Sequence, residues 1–149
     1  MANEHTILTQ KTFPISMTVA NATGIEKGTL LAFSGGGSNT VAACFATDAR
    51  LAGILYTEKV ANDGNTQAAV LTGPGDELKA FASGAISFGD PVGSFWTAGA
   101  TQFPNYLRTL SGALSLSGAV ILGYSKENVT NGQSFKYVLN IQTPSYSIS

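Results

Sequence analysis

Phe135-Lys136-Tyr137-Val138-Leu139-Asn140-Ile141-Gln142 alternates strictly: residues 135, 137, 139 and 141 are large and apolar, and three of the four between them are polar. A period of two places successive side chains on opposite faces, so this stretch predicts a strand with one face buried and one wet. Its partner upstream is the β-branched, apolar run at residues 120–125. The region at 128–133 joins them, and Asn131-Gly132 can supply the positive φ of a hairpin turn. The first half of the chain repeats this plan, with residues 52–59 and 66–71 flanking Asn62-Asp63-Gly64-Asn65.

Upstream of each hairpin lies a second shared motif. Thr23-Gly24-Ile25-Glu26-Lys27-Gly28-Thr29-Leu30-Leu31 is echoed by Ser83-Gly84-Ala85-Ile86-Ser87-Phe88-Gly89-Asp90-Pro91-Val92. Gly24, Gly28, Gly64, Gly84, Gly89 and Gly132 are therefore expected at structural turns. Further strands are expected at residues 6–9, 15–19, 29–33, 78–82, 91–96 and 113–116. Residues 77–81 could form a helical turn, but the repeat register favours a strand, and no dozen residues carry a 3.6-period apolar face between caps. With 17 glycines in 149 residues, the expectation is an all-β fold: a small barrel or sandwich of two similar hairpin-containing halves, with little helix. Residues 1–16 read as an N-terminal arm or edge strand, 17–142 as one β domain with halves at about 23–72 and 83–142, and 143–149 as a tail.

Composition narrows the function. Charged residues make up only 11% and hydrophobic ones 44%, against about 25% charged in an average soluble domain. So little charge suits a surface covered by other subunits, or one rich in Ser, Thr and Asn. The net charge of −1, with Lys and Arg scattered singly, provides no basic stripe for nucleic acid and no polybasic anchor for a membrane. No run nears the roughly 18 apolar residues of a membrane span. The N-terminal residues lack the flank and apolar core of a secretory signal, so synthesis and use without export are expected. The single cysteine, Cys44, lies among Ala42, Ala43 and Phe45 and reads as a small buried hydrophobe.

Chemistry finds few footholds. A Ser-His-Asp triad needs a histidine between nucleophile and carboxylate, and the one histidine, His5, reads as a solvated arm residue or one packed on a partner. One Cys and one distant His cannot assemble a zinc site. Gly35-Gly36-Gly37-Ser38-Asn39-Thr40 lacks the lysine of a phosphate-binding loop. Turn chemistry or a neighbouring lysine accounts for Asp63, Asp76, Asp90, Glu26 and Glu58. No catalytic residue, metal or cofactor is expected, and the chain reads as a non-enzyme. The aromatics are the better signal. Phe95, Trp96, Phe103 and Tyr106 concentrate apolar area in a Gly/Ala/Thr-rich region, where burial at an interface yields association energy. Phe13-Pro14 closes a strand-forming segment with a residue that cannot donate to a ladder, as at an edge or in an arm added to another subunit's sheet.

Taken in order, Gly24 to Leu31, Ala52-Gly53-Ile54, Glu58 to Gly64 and Ser83 to Val92 resemble the capsid decoration (cement) proteins of tailed phages, over residues 12–141. The resemblance implies a small β protein on the outside of a phage head: made in the host cytoplasm, homotrimeric and bound to the major capsid protein; the charge pattern above adds that neither nucleic acid nor membrane is an expected partner. Phe13, Pro14, Phe95, Trp96, Phe103 and Tyr106 are the candidate oligomer or capsid interface. The stretch from Trp96 to Leu110 and the tail depart from the family pattern. A receptor- or glycan-binding module on the virion is the alternative that the Trp96–Tyr106 aromatics raise.

Overall fold

A computed structural model describes residues 4–34, 39–45, 50–95, 105–110 and 120–142. Among the described residues the chain is all-β, with eleven strands and no helix. These are β1 (Thr6–Thr9), β2 (Ile15–Thr18), β3 (Leu30–Phe33), β4 (Val41–Ala43), β5 (Leu51–Leu55), β6 (Gln67–Leu71), β7 (Glu77–Ala82), β8 (Pro91–Ser94), β9 (Tyr106–Thr109), β10 (Ile121–Ser125) and β11 (Ser134–Gln142). The alternation that marks 135–142 is visible in burial: Phe135, Tyr137 and Leu139 are buried, Lys136 is exposed, and Val138 and Asn140 are half-buried. The stretch at 77–81 is strand, because Leu78, Ala80 and Ala82 all reach the interior at period two.

The two halves share one wiring diagram. The first sheet runs β2-β6-β5-β3-β4, and the second runs β7-β11-β10-β8-β9 with β1 added outside β7. β9 also pairs parallel to β7 through Phe81↔Tyr106 and Ala82↔Leu107, which closes the second sheet into a five-stranded barrel. A parallel bridge between Thr18 and Thr40 stands at the corresponding place in the first. Closure leaves few open sheet edges. The motif pair keeps its register as well: Ile25 bridges Lys59, and Ile86 bridges Val129. Gly28 N–H donates to Leu55 O, and Gly89 N–H to Ser125 O. Gly53 and Gly123 fill one role in the two halves, since a Cβ would collide with the carbonyl of Leu71 in the first and of Val138 in the second.

The first barrel is filled by Met17, Val19, Ile25, Leu31, Val41, Ala52, Leu55, Ala68 and Val70. On the opposite face of its sheet, Leu30, Ile54 and Leu71 join Leu78, Leu122, Phe135, Tyr137 and Leu139 of the second half, so one buried cluster spans the junction. Side-chain volume is redistributed between the repeats. The cross-strand pair Met17↔Ala68 of the first corresponds to Ala80↔Phe135 of the second, large opposite small in each case. Cys44 is fully buried in the junction cluster.

The expectation at 113–116, Trp96 at the end of the expectation at 91–96, residues 35–38 of the Gly35 to Thr40 stretch, and the tail at 143–149 lie outside the described residues. Strands β4 and β9 were not expected from the sequence.

Candidate interaction surface

The segment that opens the chain is pinned at both ends. β1 lies antiparallel on β7, with Thr6↔Lys79, Ile7↔Leu78 and Thr9↔Glu77, and a bulge between Ile7 and Thr9. Ahead of it, His5 enters a socket between the halves and is buried, not a solvated arm residue. Its N–H donates to Gly28 O at 2.7 Å. The ring Nε2 lies 2.8 Å from the carbonyl of Asn105, and Nδ1 lies 2.6 Å from the hydroxyl of Tyr137. A carbonyl only accepts, so Nε2 carries the proton, and bare Nδ1 takes the hydrogen bond from Tyr137. Burial dominates the protonation equilibrium: it lowers the His5 pKa to about 4, against a smaller opposing effect of the Asn105 carbonyl. Burial also raises the Tyr137 pKa well above its ordinary value. The imidazole is therefore neutral at pH 7.

The socket is built from all parts of the chain. Asn105, buried at the start of β9, uses its side-chain oxygen to accept the Leu30 N–H of the first barrel at 2.9 Å. Gly28, with φ +89°, leaves no room for a Cβ against the His5 carbonyl. Beside the socket, Glu4 hydrogen-bonds Glu26. Burial first and that bond second raise the Glu4 carboxyl, whereas the bond from Glu4 is the main cause of the lowered Glu26 pKa.

At the other end, Asp76 forms a clamp. Its fully buried carboxylate accepts the N–H groups of Lys11 and Thr12, the latter at 2.9 Å, and the Thr12 hydroxyl at 2.5 Å. Tyr56 donates its hydroxyl to Gln10 at 2.9 Å, with the Lys27 ammonium 5.6 Å over its ring. A recess lined by Gln10, Lys11, Thr12, Phe13, Pro14 and Tyr56 results. Phe13 projects beside it, 91% exposed, and Leu8 and Ile15 are exposed on either side along the chain. A large apolar side chain presented on a doubly anchored segment loses little backbone freedom on binding, which is how interface anchors are built.

The other candidate residues fall elsewhere. Phe95 N–H donates to Tyr106 O at 3.2 Å, so these two are adjacent where β8 meets β9. The Tyr106 ring stacks on Phe81 with centroids 6.1 Å apart, and both aromatics are half-buried. Trp96 and Phe103 lie outside the described residues. Gly28, Gly64, Gly84, Gly89 and Gly132 all have positive φ, and Gly24 does not. Asp63 and Asp90 hold turns together: Asp63 accepts from the buried Lys59 ammonium at 2.7 Å, the first cause of its lowered pKa, and Asp90 accepts from Ser87 N–H and the Thr109 hydroxyl. Sequence reasoning missed Asp76, Asn105 and Tyr137 as partners of the arm. The one available signal was a carboxylate directly after Gly73-Pro74-Gly75, a position that the chain reuses to tie down a distant segment.

No protein-family model matches the chain, and no curated protein matches it. Among solved structures the chain is similar to "The crystal structure of head fiber gp8.5 N base in bacteriophage phi29", with a TM-score of 0.49 and 16% sequence identity over 85% of this chain and 92% of that one. A likeness at that level carries no argument about function.

Proposed function

We propose that this chain is a structural protein of a tailed-phage virion that binds the outside of the head as a homotrimer and cements the capsid, without carrying out chemistry. The observation that carries the reading is Phe13, 91% exposed on the short stretch between the Asp76 clamp on Lys11 and Thr12 and the start of β2 at Ile15. An apolar group held out to solvent on a rigid framework is made to be covered. The sequence resemblance to decoration proteins and the 11% charged content agree with a molecule whose surface is shared with neighbours. A standard interface buries roughly 800 Å² per partner, about a ninth of the 7175 Å² that the chain exposes. One copy thus has room for contacts both to its own kind and to the major capsid protein, and a trimer multiplies weak capsid contacts through avidity.

The test is to add purified protein to undecorated phage heads and image them by cryo-electron microscopy. Ordered extra density on the outer surface is expected, with occupancy lost for Phe13→Ala while its thermal midpoint stays unchanged. Bare heads at saturating protein, or full occupancy by the variant, would overturn the reading or the role given to Phe13, respectively.

A further inference from the structure

β1 is surplus to the repeated plan. Among the described residues the first barrel has a counterpart for every strand of the second, and none for β1, which sits outside β7 where β9 leaves the edge open. Its attachment is that of a ligand: one plug, His5; one short ladder; and one clamp, Asp76 on Lys11 and Thr12. The plug's side-chain partners, the ladder and the clamp are supplied by the second half, and the first half adds Gly28 O and the Tyr56 hydroxyl on Gln10, while the chain that follows Pro14 belongs to the first barrel. The segment between them contains Phe13-Pro14. Proline fixes φ and drives the residue before it toward extended conformations, so the hinge favours a straight path over a fold-back. The hinge region is also where unpartnered apolar surface gathers: Leu8 at 42%, Phe13 at 91% and Ile15 at 48% exposed are three of the six exposed large hydrophobics among the described residues.

We infer that in the assembled oligomer the socket and β7 edge are filled by residues 5–12 of a second copy, the N-terminal segment of each subunit crossing to the next. This rests on the homo-oligomeric reading above. In the single chain the segment folds back on its own β7; a segment from a neighbour meets the same donors and acceptors, and the crossing brings Leu8, Phe13 and Ile15 between subunits. The occupant is thus a strand of this chain's own sequence, with a histidine plug, an apolar residue opposite Leu78 and two amides for Asp76.

Thr6 and Lys79 are registered partners with exposed side chains, and antiparallel partners stand within disulfide reach. Full-length Thr6→Cys/Lys79→Cys protein is oxidised at micromolar concentration, with its mass in solution measured by light scattering and its covalent state by denaturing, non-reducing electrophoresis. Cys44 is fully buried and stays out of the reaction, and the two single variants control for random coupling. The expected result is an oligomer whose chains run as covalent multimers. An oligomer whose chains run as monomers places the segment in its own subunit, which overturns the exchange and leaves the oligomer intact. A monomer in solution overturns both. As a second measurement, co-expressing the two single variants, one tagged, yields a mixed disulfide only if segments cross.

Discussion

Acid should loosen the molecule through His5, and by an amount that its surroundings set. In the folded chain the ring is buried with a pKa of about 4, whereas an unfolded histidine titrates near 6.5. Between those values the unfolded chain binds a proton that the folded chain excludes, so stability rises with pH across the window. Descending from neutrality, the loss begins near pH 6.5, continues to about pH 4 and then levels off. A difference of about 2.5 pKa units corresponds to roughly 3 kcal/mol. Other groups titrate in acid, the Glu4–Glu26 pair and Asp63 among them, so the quantity to measure is the difference between parent and His5→Gln, which keeps a polar side chain without the titration. Urea unfolding at half-unit steps from pH 7.5 to 3.5 should show the parent losing roughly 3 kcal/mol more than the variant. Parallel curves would refute the reasoning, because they would mean that the imidazole is as accessible to protons in the folded chain as in the unfolded one.

Three further outcomes follow from the packing. Met17→Ala should cost about 3 kcal/mol and Ala68→Phe about 2, whereas the double variant, which installs the large-small arrangement of Ala80 and Phe135, should recover to within about 1 kcal/mol of the parent; additive losses in denaturant unfolding would show that the two repeats do not pack alike. Asp76→Ala strands the amides of Lys11 and Thr12 and should cost about 3 kcal/mol, and trypsin should then cut at Lys11 much faster than in the parent. Gly64→Ala, at positive φ in open space, should cost about 1 kcal/mol. Gly123→Ala, where a carbonyl blocks the added carbon, should instead prevent recovery of folded protein or lower its thermal midpoint by many times as much.

Local chemistry made most of the fold readable. Where a strand has one buried and one wet face, as at 135–142, or where a turn needs positive φ, as at Gly64 and Gly132, the pattern lies within a few neighbouring residues. β4 and β9 carry no such pattern. Val41-Ala42-Ala43 and Tyr106-Leu107-Arg108-Thr109 each bury one side chain fully, and they are strands because each barrel needs a short closing piece, a demand set by topology. The arm shows the same divide. Its strand propensity was legible, and so was the edge character of Phe13-Pro14. That His5 is buried depends on Asn105 and Tyr137, 100 and 132 positions away, and no spacing rule connects residues so far apart. Turn chemistry accounts for the place of Asp76 in the chain but not for its clamp on Lys11 and Thr12.

The filling of the two barrels also sets an order of events during synthesis. The described residues of the first interior all fall within 17–70, so it can collapse while the ribosome is still adding the second half. The plug at residue 5 must wait for Tyr137, 132 positions further along the chain. For most of translation the amino-terminal strand is therefore ready but has no berth, and on a polysome crowded with nascent siblings the berth that it finds first need not be its own.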